Sequence, residues 1–282
     1  MIILDGKKLS QKIIDSLKQE IDSLGVRPRL DIILVGDYPP SVKYVEMKQK
    51  KAESIGISGQ IHRLPKSSST ADIVTLVQKL NQDNNVTGLM VQLPLPEQID
   101  TLTVLSAIDP KKDADGLSPG NLGLLFQKKS DGIMAATALG VIKLIEEYNL
   151  DLDGKNAVII GRSPDVSLPL FAGLLSKNCT VTICHSHTKN LSQITSQADI
   201  LISAIGKPKF LDAEFVKQDA AVIDVGYATD SETGKTAGDF DFENIKNKVE
   251  FITPVPGGVG PMTVASLLFN TVKIARKNVK KQ

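Results

Sequence analysis

A lysine lies on the apolar face of a predicted helix in the first part of the sequence. In the segment SVKYVEMKQKKAESIG, a rotation of about 100° per residue places Lys48 beside Val45 and Ile55. Tyr44 lies one turn earlier on the same side. A desolvated amine loses preference for its charged form and can act as an acid or a base near neutral pH. The alternative is that Lys48 extends past the apolar surface to water.

Polar side chains also follow an apolar run that reads as a strand. Gln92 closes the run GLMV, and the segment DPKKDADGLSP then brings Asp113 and Asp115 into a loop. In parallel sheets, active sites lie just beyond the carboxyl ends of the strands. Gln92 and the two aspartates are therefore candidate site residues, although an Asp-Gly pair also commonly forms an ordinary turn.

A second candidate site begins at NAVIIGRSPDVSLP, which predicts a strand, a tight turn at Gly161 and a helix start. In dinucleotide-binding folds this turn holds the pyrophosphate with backbone N–H groups. The usual G-x-G-x-x-G pattern is absent, so the turn alone is a weak signal.

The next strand, TVTIC, ends in His185-Ser186-His187-Thr188. Folds that bind NAD usually place an acidic residue about 20 residues after the glycine turn, to hold the ribose. This chain has none there and carries Arg162 in the first turn, which suits a 2′-phosphate and indicates NADP. The equally compatible alternative is that Ser186 and Thr188 cap a turn and Arg162 is solvated.

The stretch PVPGGVGPMT (254–263) holds three prolines and three glycines in ten residues. Proline fixes φ and glycine adopts conformations closed to other residues, so the stretch is neither ordinary helix nor ordinary strand. Gly257 and Gly258 allow the backbone to approach a flat ligand, and we predict a binding-site wall. Pro261 is expected to open the final helix.

The elements that must position these residues alternate along the whole chain. Apolar strand-like runs and helical patterns follow one another in two cycles, which is the signature of α/β architecture. The pattern predicts two α/β domains, the second a Rossmann-like, doubly wound parallel sheet. We expect one domain over 1–136, completed by a C-terminal helix over 263–282, and a second over 137–262.

The composition is that of an ordinary globular protein. The 282 residues are 41% hydrophobic and 23% charged, with a formal charge of +1, so nothing indicates a nucleic-acid surface. No apolar stretch approaches the roughly 20 residues that span a bilayer, and the first residues lack a signal-peptide pattern. Two cysteines and three histidines show no metal-ligand spacing. We expect a cytoplasmic protein without a metal.

Taken together, the motifs resemble those of the bifunctional methylenetetrahydrofolate dehydrogenase/cyclohydrolase family, in the same order and over nearly the whole chain. The matching motifs are YVEMK (44–48), VQLPLP (91–96), KDADG (112–116), GRS (161–163), AIGKP (204–208), VIDVG (222–226), GDFDF (238–242) and TPVPGGVGPMT (253–263).

The resemblance implies two consecutive reactions in one active-site cleft between the two domains. NADP oxidises 5,10-methylenetetrahydrofolate to the methenyl cation, and water then converts that cation to 10-formyltetrahydrofolate. It also implies tetrahydrofolate one-carbon derivatives as substrates and a homodimer joined through the nucleotide domains, with no nucleic-acid or membrane partner.

The resemblance further assigns roles. Lys48 is the main acid/base group and Gln92 tunes it, Tyr44 stacks on the folate, and Asp115 holds the pterin. The remaining substrate-binding residues are Pro256, Gly257 and Gly258. The residues assigned to the cofactor are Thr137, Gly161, Arg162, Ser163, Ser186, Gly206, Gly226, Gly258 and Thr263, with Arg162 and Ser186 at the 2′-phosphate.

The chain departs from the family pattern in two places. The P-C-T-P-x-G stretch reads AATALG (135–140), and the G-R-S-x-x-V-G turn carries Ser167 in place of its last glycine, with Asp165 near the expected phosphate. These departures motivate an alternative, a member that acts mainly as a cyclohydrolase. A non-enzymatic nucleotide- or folate-binding module is a further alternative, against which Lys48, Gln92 and Asp115 argue. A generic NAD-linked dehydrogenase leaves Lys48 and Gln92 unexplained.

Overall fold

The computed structural model describes residues 1–127, 132–231 and 234–279. The chain divides into two compact units. One comprises Met1–Gln11 and Thr137–Thr263, and we call it the six-stranded unit. The other comprises Lys12–Ala136 and Val264–Gln282, and we call it the three-stranded unit. The names refer to the parallel sheets in the described residues.

The elements are numbered in chain order. The strands are β1 (Ile2–Ile3), β2 (Leu30–Val35), β3 (Ile61–Leu64), β4 (Gly88–Val91), β5 (Asn156–Ile160), β6 (Thr180–Cys184), β7 (Ile200–Ser203), β8 (Ala221–Asp224), β9 (Ala228–Thr229), β10 (Thr236–Ala237) and β11 (Phe251–Ile252). The helices are α1 (Gly6–Ser23), α2 (Pro39–Glu53), α3 (Thr70–Gln82), α4 (Thr101–Ala107), α5 (Pro119–Phe126), α6 (Ala136–Glu147), α7 (Ser167–Ser176), α8 (Leu191–Thr195), α9 (Phe242–Ile245) and α10 (Val259–Val279), with a 3₁₀ turn at Ala213–Phe215.

In the three-stranded unit, the parallel sheet has the order β3-β2-β4 and is covered on both faces. Successive residues of β2 point to opposite sides. Ile32 and Leu34 join one apolar cluster, which includes residues of α1, α2 and α10. Ile33 and Val35 join another, which includes residues of α3 and α4. The near-continuous apolar character of LDIILV follows from this two-sided burial.

In the six-stranded unit, the parallel order is β1-β11-β8-β7-β5-β6. Chain order reverses between β5 and β7, because β5 leads to β6 on one side and β7 leads to β8 and β11 on the other. Ligands of doubly wound sheets bind at such a switch point. The prediction of two α/β units, one with a doubly wound parallel sheet, is therefore confirmed.

The first residues of the chain differ from the sequence expectation. We expected 1–136 to form one domain, but Met1–Gln11 belong to the six-stranded unit. The reason is that β1 pairs with β11, and the Leu4 N–H donates to the Ile252 carbonyl at 2.8 Å. A two-residue strand is too short to show a detectable alternation of apolar and polar residues in the sequence.

The final helix also begins earlier than expected. Helix α10 starts at Val259, so Pro261 lies within its first turn rather than at its first position. Proline is tolerated there because the first N–H groups of a helix have no intrahelical acceptor. The predicted helix over 263–282 ends, within the described residues, at Val279, and 280–282 lie outside them. Of the helices in the described ranges, none combines the length and apolar character needed to cross a bilayer.

Helix α3 begins with a capping box at Ser69. The Asp72 N–H donates to Ser69 Oγ at 3.2 Å, and the Ser69 N–H donates to Asp72 Oδ2 at 2.8 Å. Ser69→Ala removes the side-chain cap, and we expect the free energy of unfolding to fall by about 1 kcal/mol. Urea denaturation measures this change. Ser54→Ala is the control, since the exposed Ser54 hydroxyl only donates to the Lys51 carbonyl. Equal stabilities of the two variants would contradict the capping role.

Candidate active site

Helix α2 carries Lys48 into the interior of the three-stranded unit. Val45 and Ala52 are buried on the same face, whereas Lys43 and Lys50 are exposed. Only 4% of the Lys48 surface is exposed, which excludes the alternative that its amine extends to water. The helical spacing placed Lys48 on the apolar face of α2 correctly, and the structure decides between the two alternatives in favour of burial.

The Lys48 amine is held by side chains from two elements. Nζ donates to Gln92 Oε1 at 3.0 Å and lies 3.8 Å from Met90 Sδ. It also lies 4.5 Å from the centroid of the Tyr44 ring, one turn earlier on α2. An amide oxygen, a thioether and an aromatic face solvate an ammonium group less well than water does. The arrangement therefore favours the neutral amine.

Desolvation lowers the pKa of Lys48 below its usual range, and the charge of Asp115 opposes this shift. A lysine with a lowered pKa can take up a proton from water near neutral pH. The residues around Lys48 are thus those that a general base requires. Met90 was not identified from the sequence, since a methionine in an apolar strand gives no signal beyond core packing.

Gln92 is fixed at the end of β4. Its backbone N–H donates to the Ile33 carbonyl at 2.9 Å, which continues the pairing of β4 with β2. Its side-chain Nε2 donates to the Leu93 carbonyl at 2.6 Å. Because the amide nitrogen is engaged there, the amide oxygen is the atom that faces Lys48. The predicted link between Gln92 and Lys48 is present in the structure.

The two candidate aspartates have different surroundings. Asp113 is fully buried, and its carboxylate accepts from the N–H groups of Gly116, Leu117 and Ser118 and from Asn121 Nδ2. These bonds shape the loop and occupy the carboxylate of Asp113.

Asp115 is half-buried, and its backbone carbonyl accepts from the Ala136 N–H at 3.0 Å. Asp115 is therefore the better candidate for contact with a substrate.

The second group of candidate residues lies at one edge of the six-stranded unit. The last residues of four neighbouring strands are aligned in register, Cys184 beside Ile160, Ile160 beside Ser203, and Ser203 beside Asp224. The loops that follow these strands therefore emerge together at the carboxyl edge. They carry Gly161, Arg162, Ser163, Ser186, Gly206 and Gly226.

The Gly161 turn lies at the switch point between β5 and β7. Its φ of 128° strongly favours glycine, and an added Cβ would lie 2.8 Å from Ser167 Oγ and 3.0 Å from the Ala204 carbonyl oxygen. Ser167, which begins α7, is fully buried, and its hydroxyl has no hydrogen-bond partner among the described residues. The turn thus has the tight form of a phosphate-binding loop, with an extra hydroxyl packed beneath it.

Arg162 and Ser186 occupy matching positions after adjacent strands. Arg162 follows Ile160 by two residues, Ser186 follows Cys184 by two, and Ile160 and Cys184 are register partners. Both residues are exposed. In the turn after β6, the His185 N–H donates to Thr188 Oγ1 at 2.9 Å, so Thr188 forms the cap while Ser186 remains outward. No carboxylate stands in this turn. The residues fit a dinucleotide with a 2′-phosphate.

Two buried carboxylates, which the sequence analysis did not identify, lie behind the loops. Asp224 ends β8, and Asp239 lies in the GDFDF segment. Burial raises the pKa of Asp224 to about 7, and the nearby Asp239 charge adds to this effect. Three backbone N–H groups, from Phe240, Asp239 and Gly226, act in the opposite direction. The GDFDF motif marks the position of Asp239 in the sequence, but it does not indicate which groups the carboxylate contacts.

The PVPGGVGPMT stretch forms a turn followed by α10. The Gly258 N–H donates to the Pro254 carbonyl at 2.8 Å, and Pro256 is exposed at the tip after a cis peptide bond. The Thr263 hydroxyl lies 3.2 Å from that of Thr137, so two predicted cofactor residues meet.

The segment AATALG (135–140), which differs from the family pattern, forms the start of a regular helix. Helix α6 begins at Ala136, and Gly140 packs closely on Met262, where an added Cβ would lie 2.9 Å from the Met262 Cβ.

No group of three or more His, Cys, Asp or Glu side chains in the described residues is placed to hold a metal ion. Cys179 and Cys184 are free, buried thiols.

Comparisons with known proteins give a consistent result. Residues 4–115 match the tetrahydrofolate dehydrogenase/cyclohydrolase catalytic domain, and 135–279 match the NAD(P)-binding domain of the same family. The chain is 50% identical over 275 residues to the bifunctional protein FolD of Rickettsia bellii, covering 96% of this chain and 97% of the relative.

Two crystal structures agree. That of the bifunctional enzyme FolD from Campylobacter jejuni is 44% identical, with a TM-score of 0.95 and 99% of each chain covered. The FolD of Trypanosoma brucei, solved with NADP cofactor and an inhibitor, is 34% identical, with a TM-score of 0.94 and 99% of each chain covered. The chain belongs to the tetrahydrofolate dehydrogenase/cyclohydrolase family.

Proposed function

We propose that the protein catalyses two consecutive reactions of one-carbon metabolism. It oxidises 5,10-methylenetetrahydrofolate to the 5,10-methenyl cation with NADP, and it hydrolyses that cation to 10-formyltetrahydrofolate. The observation that carries the proposal is the buried Lys48 amine on Gln92 Oε1, in a chain that also carries an NAD(P)-binding domain of this family. Hydride transfer from the methylene carbon needs no proton acceptor, so the dehydrogenase reaction by itself leaves this amine unexplained.

The oxidation needs positioning rather than acid–base chemistry. NADP, when bound, accepts a hydride from the methylene carbon. The contribution of the protein is to hold the two rings in reactive geometry and to exclude water. We assign the folate to Tyr44, which stacks on its ring, and to Asp115, which accepts from the pterin N–H groups. On the family resemblance, Pro256, Gly257 and Gly258 are also assigned to the substrate.

We assign the cofactor to the six-stranded unit. The residues proposed to bind it are Thr137, Gly161, Arg162, Ser163, Ser186, Gly206, Gly226, Gly258 and Thr263. Their support is the alignment of four strand ends at one edge and the switch point at Gly161.

The hydrolysis needs a base. Water adds to the methenyl carbon and Lys48 takes up one proton from it, which gives a neutral carbinolamine. The carbon–N5 bond then breaks as the protonated Lys48 returns that proton to N5 and the remaining hydroxyl proton passes to solvent. The formyl group stays on N10, and one proton is released overall. A cationic substrate disfavours a protonated Lys48 nearby, through like-charge repulsion. The low pKa of Lys48 and the positive charge of the substrate therefore act in the same direction.

One spectrophotometric experiment tests both activities. Methylenetetrahydrofolate is supplied with NADP or with NAD, and reduced cofactor is followed. In a separate reaction, the decay of the methenyl absorbance is followed against an enzyme-free control. Methenyl decay without reduced cofactor from either nucleotide would overturn the bifunctional proposal and leave a cyclohydrolase. If reduced cofactor forms but methenyl decay is no faster than in the enzyme-free control, the proposed hydrolase activity is contradicted.

The preference for NADP has its own test. Arg162→Ala removes a cation from the proposed 2′-phosphate site, and we expect the KM for NADP to rise about 10- to 100-fold, the effect of one charge-assisted hydrogen bond. The KM for NAD and the hydrolysis rate should change little. Lys217→Ala is the control, since Lys217 pairs with Asp199 just before β7, at the other end of that strand. Equal losses with both nucleotides would place Arg162 outside the 2′-phosphate site.

We also propose, from the family resemblance, that the protein is a cytoplasmic homodimer joined through its nucleotide-binding domains. The two free buried thiols accord with a reducing compartment. Sedimentation equilibrium tests the dimer, and a monomer at assay concentrations would contradict it.

A further inference from the structure

Asp239 is a fully buried carboxylate at the carboxyl edge of the six-stranded unit. Oδ2 accepts from Ser203 Oγ at 2.7 Å and from the Ile205 N–H at 2.9 Å. Oδ1 accepts from the Lys207 N–H at 2.8 Å. The three donors are the last residue of β7 and two residues of the loop that follows it, so Asp239 fixes the path of 204–208.

Asp239 also sets the position of the next loop. An added Cβ on Gly226 would lie 2.3 Å from Asp239 Oδ1, so the carboxylate packs directly against the backbone after β8. Only a glycine allows this approach. The loops after two neighbouring strands are therefore held by one side chain.

A second carboxylate holds Asp239 in place. Asp224 Oδ1 accepts from the Gly226 N–H at 2.9 Å and from the Asp239 N–H at 3.0 Å. Oδ2 accepts from the Phe240 N–H at 3.0 Å. Asp224 thus joins the loop after β8 to the segment that carries Asp239, and the backbone N–H of Asp224 itself donates to Thr253 Oγ1 at 2.7 Å.

We propose that Asp239 is a positioning residue for the dinucleotide. It holds the loops 204–208 and 225–226, with Gly206 and Gly226, in the conformation that binds the cofactor, and Asp224 orients it. The inference rests on the proposed function, because it gives a reason for the geometry of the cofactor loops assigned there. Asp239 itself is buried beneath these loops and acts through them.

The chemistry of a carboxylate explains why aspartate is needed. Three donors converge on Asp239, and both of its oxygens accept. An asparagine has one accepting oxygen and an NH₂ group, so at least one backbone or hydroxyl donor would face another donor. A buried donor without an acceptor is costly, and the loop would move to satisfy it.

The test is Asp239→Asn in the full-length protein. Binding of NADP is measured by isothermal titration calorimetry, the KM and kcat by the dehydrogenase assay, and hydrolysis by methenyl decay. We expect the Kd and KM for NADP to rise about 10- to 100-fold, since a charged hydrogen-bond network is lost. Hydrolysis should remain within about twofold, because Lys48 and Gln92 lie in the other unit.

The matched control is Asp212→Asn. Asp212 is an exposed residue of the same unit, and its carboxylate accepts from the Glu214 N–H of a 3₁₀ turn at 2.9 Å. We expect unchanged NADP binding in this variant. If Asp239→Asn does not fold, Ser203→Ala carries the test, because it removes one of the three donors. The expected rise in Kd is then about 2- to 10-fold.

The outcomes are distinguishable. Wild-type NADP affinity in Asp239→Asn, or equal losses of binding and hydrolysis that follow the folded fraction, would overturn the positioning role. A wild-type protein that forms no reduced cofactor would instead overturn the proposed function. A weakened Kd with intact hydrolysis supports the inference.

Discussion

We expect Lys48→Met to lower the rate of methenyl hydrolysis about 10²- to 10⁴-fold, the usual contribution of a general acid–base group. Lys48 is buried with its amine on Gln92 Oε1, and it is the basic group that the structure places there. Methionine has a similar length and an apolar tip, which suits a site that already contains Met90 Sδ. The measurement is the decay of methenyl absorbance, corrected for the uncatalysed reaction.

The dehydrogenase assay separates a chemical effect from unfolding. Hydride transfer needs no proton donor from the protein, so Lys48→Met should still form reduced cofactor. Lys43→Met, on the exposed face of the same helix, is the control and should retain both activities. Wild-type hydrolysis in Lys48→Met would remove this residue from the mechanism.

We expect Gln92→Glu to suppress hydrolysis at neutral pH, although the two side chains have almost the same shape. The substitution places a carboxylate where Oε1 now lies, 3.0 Å from Lys48 Nζ. An opposite charge at this distance favours the ammonium form and raises a lysine pKa by about 1–3 units. The base must be neutral to take up a proton, so each unit costs about tenfold in rate on the acid side of the profile. We expect a loss of about 10- to 1000-fold at neutral pH, with recovery as the pH rises.

The pH dependence of the hydrolysis rate shows in which direction the pKa of Lys48 is shifted. In the wild type, desolvation lowers the pKa of Lys48, so activity rises with pH through a value below that of a free lysine. Gln92→Glu should move this rise to higher pH. Gln92→Met removes the acceptor without adding charge and should leave the rise in place or move it lower. A Gln92→Glu profile that coincides with that of the wild type would show that Gln92 does not influence Lys48.

Much of the three-stranded unit follows from local patterns. The helical period placed Lys48 with Val45 and Ala52, and these residues are buried together. The capping box of α3 depends only on Ser69 and Asp72, which are three residues apart. Such features were predictable because their causes lie within one helical turn. The two-residue β1 was not, because its partner β11 lies almost 250 positions along the chain.

The sequence identified most of the candidate site residues but few of the contacts between them. Gln92 and Asp115 stood out because they follow predicted strands, and Asp113 stood out for the same reason. Local sequence could not separate the two aspartates, since the difference is that Asp113 is saturated by loop N–H groups and Asn121. Asp239 was part of a recognised motif, yet its donor Ser203 lies 36 positions away.

By itself, the sequence determined that Lys48 lies on the apolar face of α2 and that Gln92 follows β4, because both depend on local backbone periods of about 3.6 and 2 residues. Only the tertiary structure decided which of these side chains meet. Lys48 and Gln92 are 44 positions apart and are joined because α2 and the end of β4 lie within one core. Burial lowers the pKa of Lys48, and burial at that point is a property of the packed unit rather than of any segment.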